Sequence, residues 1–248
     1  MTGRQAPTSP RVRHPVMRQH WRWLTFLHWR YPPDAVQSRL PAGLTVESFD
    51  GTAWVGLIPF LMDEVRAPGL PPLPWLSRFA ETNVRTYVRG PDGRTGIWFF
   101  SLDAARLPAV LTARATYRLP YFWSSMAVRR AGDRVSYRSR RRWPGPAAAH
   151  CDAEVEFGRT SDPAELTALD HFLTARFRLY SIVADRPAVA EAEHPPWMLR
   201  RARLLRLRQD LVGAAGLSDP DHEPVVHASD GVRVRIGRWR WAEGGAGR

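Results

Sequence analysis

The sequence predicts an α+β protein dominated by β-structure, with a closed antiparallel β-barrel-like core and a few flanking helices. Three observations predict it. An Asp-Gly turn joins two stretches of strand character, further strand-length segments recur with short turns between them, and helix signatures are sparse. The 248 residues suit one domain with a substantial core. No Gly/Ser linker or internal repeat divides them, and we place a single domain over 17–242. A flexible basic tail is expected at 1–16 and a short flexible tail at 243–248.

The elements follow in order. Residues 33–40 suit two helical turns. Residues 46–49 lead through Asp50-Gly51, a dipeptide that favours a type I′ turn, into a strand at 52–58. A second hairpin pairs 79–88 with 96–102 across Gly90-Pro91-Asp92-Gly93, and a third pairs 126–128 with 135–140. A short helix fits 108–114. Later strands are expected at 153–157, 197–207 and 232–239. Asp162-Pro163-Ala164-Glu165 has the form of a capped helix start, with apolar residues at helical spacing to Phe177. Residues 209–215 suit a last helix, closed by Gly216.

Composition excludes several chemistries. All 36 basic side chains are arginine and none is lysine. A lysine Schiff base, a pyridoxal-phosphate anchor and a Walker-type loop are therefore absent from this chain. The single cysteine, Cys151, excludes an internal disulfide framework and a four-thiolate zinc site. The eight histidines show no zinc-motif spacing, and neither G-x-S-x-G nor G-x-G-x-x-G occurs. We expect no metal and no cofactor. No apolar stretch approaches the roughly 18 residues of a membrane helix, residues 1–15 lack the apolar core of a signal peptide, and a reducing cytoplasm is the expected compartment. The net charge of +12 is uneven, with seven arginines in 129–142 against six acids in 152–170.

The stretch Glu81-Thr82-Asn83-Val84-Arg85-Thr86-Tyr87 carries the functional signal. On a strand, Glu81, Asn83, Arg85 and Tyr87 share one face at about 6.7 Å intervals, and the other face is small or β-branched. Inside a barrel such a polar row must be paired or must face ligand and water. The plainer alternative is a solvent-facing strand with a Glu–Arg pair. The next strand, Ile97-Trp98-Phe99-Phe100-Ser101-Leu102, is apolar enough to be buried on both faces, and Asp103 at its end is expected to cap the following helix. Tyr121, in an aromatic cluster, is a second candidate. Arg114 and Arg138 are candidate anion partners, Arg138 alternatively a surface charge, as is Arg140. His28 is expected in the core, and His194 and His227 in loops.

Several of these stretches resemble the signature segments of the YqjF-like family, a domain-of-unknown-function family. They are Asp50-Gly51-Thr52-Ala53-Trp54-Val55-Gly56, the strand from Glu81 to Val88, Trp98-Phe99-Phe100-Ser101-Leu102-Asp103-Ala104, Leu119-Pro120-Tyr121, His194-Pro195-Pro196-Trp197 and Ala214-Ala215-Gly216-Leu217. The likeness extends from about Trp21 to about Trp241. The family is similar in fold to acetoacetate decarboxylase, which implies a barrel-like core with an internal pocket. Those enzymes use a Schiff-base lysine after a Gly-aromatic-Pro step, with a strand glutamate and an arginine nearby. The corresponding stretch here is Arg118-Leu119-Pro120-Tyr121, with tyrosine at the nucleophile position, and Glu81 is similar to the strand glutamate. A phenol forms no iminium, so the decarboxylase activity is not carried over.

Three functions follow. The first is a pocket for a small organic acid or carbonyl compound, with a lyase, hydratase or isomerase type of chemistry. Glu81 would be general acid/base, Tyr121 donor to an oxyanion, and Asn83, Arg85, Tyr87, Arg114 and Arg138 ligand-binding. The second is a non-catalytic carrier or sensor using the same pocket. The third, ranked last, is a binder of nucleic acid or acidic surfaces. No membrane partner is expected, and self-association is left open.

Overall fold

The computed structural model describes residues 9–145 and 149–243; the parts of the expected tails at 1–8 and 244–248 lie outside the described residues. The chain runs β1 (Met17–Tyr31), α1 (Pro33–Gln37), β2 (Thr45–Val46), β3 (Ala53–Arg66), β4 (Phe79–Arg89), β5 (Thr95–Ala104) and α2 (Leu107–Tyr117). It continues through β6 (Tyr121–Ala131), β7 (Arg134–Trp143), β8 (His150–Thr160), α3 (Ala168–Thr174), β9 (Arg178–Val183) and β10 (Arg186–Glu193). Last come β11 (Leu199–Gln209), α4 (Leu211–Ala214), β12 (Val225–Ile236) and β13 (Arg240–Trp241).

These strands form one sheet that closes on itself. The ring passes β1-β3-β4-β5-β6-β7-β8-β11-β12 and returns to β1. The fold is β-dominant and α+β, as its sequence predicts. Two pairings, β5 with β6 and β5 with β9, are parallel. Strand β5 therefore forks, with β6 beside its C-terminal half and β9 beside its N-terminal half. Through β9, β10 and β12 a second circuit of pairings closes over the same interior.

Strand β4 lies between β3 and β5 along its length, and every residue from Phe79 to Val88 is buried. Its two faces meet different interiors. Val84 packs with Leu57, Tyr137 and Phe157 in the main hydrophobic core. The opposite face, which carries Glu81, Asn83 and Arg85, lines a cavity.

The Asp50-Gly51 turn forms with positive φ at both central residues (49° and 76°), as a type I′ turn requires. The strand expected before it does not pair with β3, whose edges are taken by β1 and β4. Thr45 and Val46 join the end of β4 instead. The expected helix at Asp162 is a single 3-10 turn, Pro163–Glu165, because the Glu165 carboxylate binds Arg159 and Arg201 rather than reaching back. The true start is Thr167, whose side chain and that of Asp170 form a reciprocal capping box for α3. Asp103 does not cap α2. It turns inward, where Arg141 donates to both its oxygens (3.0 and 2.8 Å) and Ser124 to one (2.7 Å).

Residues 9–16, expected within a flexible tail, are pinned. Val12 is buried; its N–H donates to Glu193 (2.7 Å) and its carbonyl accepts from Arg235 (2.6 Å). The charge segregation also has a structural basis. Acidic β8 runs between basic β7 and β11, so Asp152 meets Arg138 and Arg206, and Glu156 meets Arg134 and Arg203. Exposed cross-strand pairs of this kind each contribute about 0–1 kcal/mol. Among the described residues, no helix is long and apolar enough to cross a membrane.

Candidate functional site

The cavity has a volume of about 580 Å³. Its walls are the inner faces of β3, β4 and β5, the flank of α2, and the indoles of Trp21 and Trp197. The loop 67–77 between β3 and β4 forms its rim. Ser77 latches that loop by donating from its hydroxyl to the Val65 carbonyl (2.5 Å) and accepting from the Leu73 N–H (2.8 Å).

Alternation along β4 aims Glu81, Asn83 and Arg85 into this space, because β3 and β5 hold the strand in register on both sides. Among the described residues, Glu81 is the only carboxylate lining the cavity, and it is 3% exposed. Tyr121, the first residue of β6, donates its phenol hydrogen to Glu81 Oε2 at 3.1 Å. Burial pushes the Glu81 carboxyl up to about 8, the phenol hydrogen bond opposing the rise and the Asp103 charge adding to it. At neutral pH the group is therefore chiefly the neutral acid. Burial and the adjacent Glu81 raise the Tyr121 phenol well above its ordinary value.

Four arginines reach the cavity, and three have acids of their own. Arg66 pairs with Glu64, Arg176 with Glu47, and Arg178 lies 3.9 Å from Glu191. Among the described residues, Arg85 meets no carboxylate within 4.0 Å. It is 7% exposed; among the described residues it makes one hydrogen bond, a long 3.4 Å contact to the Leu173 carbonyl, and its Nε has no partner. The neighbouring Asn83 Oδ1 also lacks a partner among the described residues. A buried cation with free donors is costly unless a counter-charge or a hydrogen-bond acceptor reaches it. The Glu–Arg pair considered for an exposed strand does not form.

The other candidates lie elsewhere. Tyr87 follows Arg85 on the same face, but its phenol is engaged behind the cavity. It donates to the Leu173 carbonyl (2.6 Å) and meets His28 Nε2 at 2.6 Å. With the phenol hydrogen committed, His28 carries its proton on Nε2 and donates it. Burial, with Arg85 nearby, holds that imidazole neutral. His28 is thus a core residue, as expected. Arg114 points away from the cavity, donating to the Tyr121 carbonyl (2.7 Å) and stacking on Trp143, so it steadies the strand that carries Tyr121. Arg138 is exposed on the outer face of β7 beside Asp152, because the alternation there turns Tyr137 inward. Arg140, two residues on, is exposed on the same face.

Sequence reasoning missed the roles of four residues, of which Trp197 and Arg176 line the cavity. Trp197 was within an expected strand but its role was not foreseen: its indole N–H donates to the Thr174 carbonyl (2.9 Å) and its ring stacks on Trp21. His194, expected in a loop, is buried between Trp21, Phe177 and Trp197. His227, also expected in a loop, lies on β12 and meets Asp170 at 2.8 Å. Arg176 stacks on Tyr87 and Phe172 and forms part of the cavity wall. The aromatic and proline content of His194-Pro195-Pro196-Trp197 was the available signal. Among the described residues, no group of three or more His, Cys, Asp or Glu could hold a metal ion.

Comparison with known proteins gives concordant results. The model of the family DUF2071, described as an uncharacterized conserved protein, matches residues 18–233. The chain is 35% identical over 214 residues to the uncharacterized protein YqjF of Bacillus subtilis (strain 168), covering 86% of each. Among solved structures, an acetoacetate decarboxylase superposes with a TM-score of 0.65 at 16% identity, over 97% of this chain and 93% of that one. The enduracididine biosynthesis enzyme MppR, complexed with the condensation product of pyruvate and imidazole 4-carboxaldehyde, superposes with a TM-score of 0.63 at 13% identity. That match covers 98% of this chain and 94% of the other. At these identities the structural likeness concerns the fold.

Proposed function

The chain belongs to the DUF2071 family, and on that footing we propose that its cavity binds a small carboxylate or carbonyl compound and moves a proton on it without forming a Schiff base. The observation that carries this reading is a neutral buried acid, Glu81, beside the Tyr121 phenol, in one cavity with the uncompensated cation Arg85. Arg85, with Asn83 next to it, anchors the ligand carboxylate. In its ionised form Glu81 takes a proton from the carbon beside the ligand carbonyl, and as the resulting acid it returns that proton to the carbon or gives it to a leaving hydroxyl, which departs as water. Tyr121 turns its hydrogen toward an oxygen on which negative charge develops. Hydration, dehydration and enolisation fit these roles. None of them needs a lysine side chain, which this sequence lacks.

The fold relative MppR, complexed with a condensation product of pyruvate, holds a ligand of the same chemical class, which supports this reading. Solvent deuterium incorporation beside the carbonyl of a panel of oxo acids, followed by NMR, tests the proposal. Wild-type protein is expected to exchange, and Glu81→Gln to lose exchange while keeping its fold and its carboxylate binding. Exchange that persists in Glu81→Gln would refute the role of Glu81. Saturable binding with no exchange, hydration or elimination would leave the carrier or sensor reading in its place.

A further inference from the structure

The polar groups occupy only part of the cavity, and they are ordered along one strand. Register fixes that order: Met62 faces Phe79, Phe60 faces Glu81, Ile58 faces Asn83 and Gly56 faces Arg85. The rim loop 67–77 joins β3 to β4 at the Met62–Phe79 end. Arg85 lies six residues further along, about 20 Å at the strand rise of roughly 3.4 Å per residue. The sequence of surroundings from the inner end outward is therefore cation, amide, acid with phenol, and then an apolar passage to the rim.

That passage is built of Phe60, Met62, Phe79 and Leu76, with Leu70 and Leu73 at its outer edge. Leu70 and Leu73 line the cavity yet remain 62% and 57% exposed. Four prolines between 68 and 74 and the Ser77 latch hold the loop in this open-rimmed form. A volume of about 580 Å³ falls among sites that enclose drug-sized ligands, and a four-carbon acid leaves most of it unfilled.

We infer that the ligand is an acid with an extended apolar tail, its carboxylate held at Arg85 and its tail running past Glu81 and Tyr121 to cover Leu70 and Leu73 at the rim. The inference rests on the carboxylate reading of Arg85 above and adds the tail. Two features require the tail together: an apolar outer passage, and rim leucines that a short acid leaves in water. An oxygen placed part-way along such a chain sits beside the Glu81–Tyr121 pair.

Calorimetric titration of the full chain with butyrate, octanoate, dodecanoate and hexadecanoate, each beside its matching primary amide, tests both layers. Affinity for the acids is expected to rise about fourfold for each methylene buried. Arg85→Gln should lower affinity for every acid by a common factor and leave the chain-length slope. The double variant Leu70→Ser, Leu73→Ser should cut the gain from dodecanoate to hexadecanoate, because only the longest tail reaches the rim. Affinity that is flat or falls with chain length, while butyrate still binds through Arg85, would overturn the tail and leave the anchor. Amides that bind as tightly as acids, with the length dependence intact, would overturn the anchor and leave the tail. Failure of every acid and amide to bind would overturn both.

Discussion

Replacing Glu81 with glutamine should change how the stability of the protein depends on pH. Unfolded, the carboxyl titrates near its ordinary value of 4.5, whereas folded it titrates near 8. Between those values the folded chain holds a proton that the unfolded chain has released, so stability falls as pH rises. The full contribution is present below 4.5 and is lost by the time pH passes 8. A separation of about 3.5 pH units at roughly 1.4 kcal/mol each makes the loss on the order of 5 kcal/mol, an upper figure because the buried site relaxes around the charge. Glutamine keeps the shape and hydrogen bonding of the neutral acid and does not titrate. Urea unfolding at pH 5, 7 and 9 reads the effect. Wild type should lose several kcal/mol more than Glu81→Gln between the extremes, and the variant should be the more stable protein at pH 9. Parallel curves for the two proteins would mean that Glu81 ionises freely in the fold, and the argument for a neutral buried acid would fail.

Other perturbations follow from the same geometry. Arg85→Met replaces an uncompensated buried cation with an apolar chain of similar length. It should raise stability by on the order of 1 kcal/mol, roughly 2–4 °C in Tm for a chain of this size, while removing carboxylate binding. Tyr121→Phe deletes the hydrogen bond that lowers the Glu81 titration, so carbon-13 NMR of the Glu81 carboxyl should show a midpoint above the wild-type value of about 8. Asp103→Asn leaves Arg141 buried without its counter-charge and should destabilise the fold by about 3–5 kcal/mol in denaturant unfolding. It should also lower the Glu81 midpoint, since the Asp103 charge helps to raise it.

The elements that sequence pattern revealed are those whose signals are local. The three turns at Asp50-Gly51, Gly90–Gly93 and Gly132-Asp133 each carry glycine where φ is positive or the chain reverses, and the strands on both sides of the last two and after the first followed. Strands β9 and β10 escaped notice because their turn, Ala184-Asp185, takes positive φ at both residues without a glycine to announce it. Strand β1 was hidden by its composition, a mixture of aromatic, basic and apolar residues that serves three neighbourhoods along fifteen residues. The polar row of β4 was visible through strand alternation, which placed Glu81, Asn83 and Arg85 together. Alternation does not say where a row leaves the cavity, and so Tyr87 was included although His28 and Leu173 claim its phenol. Arg114 and Arg138 were chosen by residue type alone. Their actual partners, the Tyr121 carbonyl and Asp152, depend on pairings between distant strands. Asp103 illustrates the same limit, since its partner Arg141 lies 38 residues away.

A crystal structure with hexadecanoate bound tests the central claim most directly. The carboxylate should lie within hydrogen-bond distance of the Arg85 guanidinium and Asn83, with the chain passing the Glu81–Tyr121 pair toward Leu73. A carboxylate held by another arginine, or a cavity that stays empty when the protein is saturated with the acid, would contradict it.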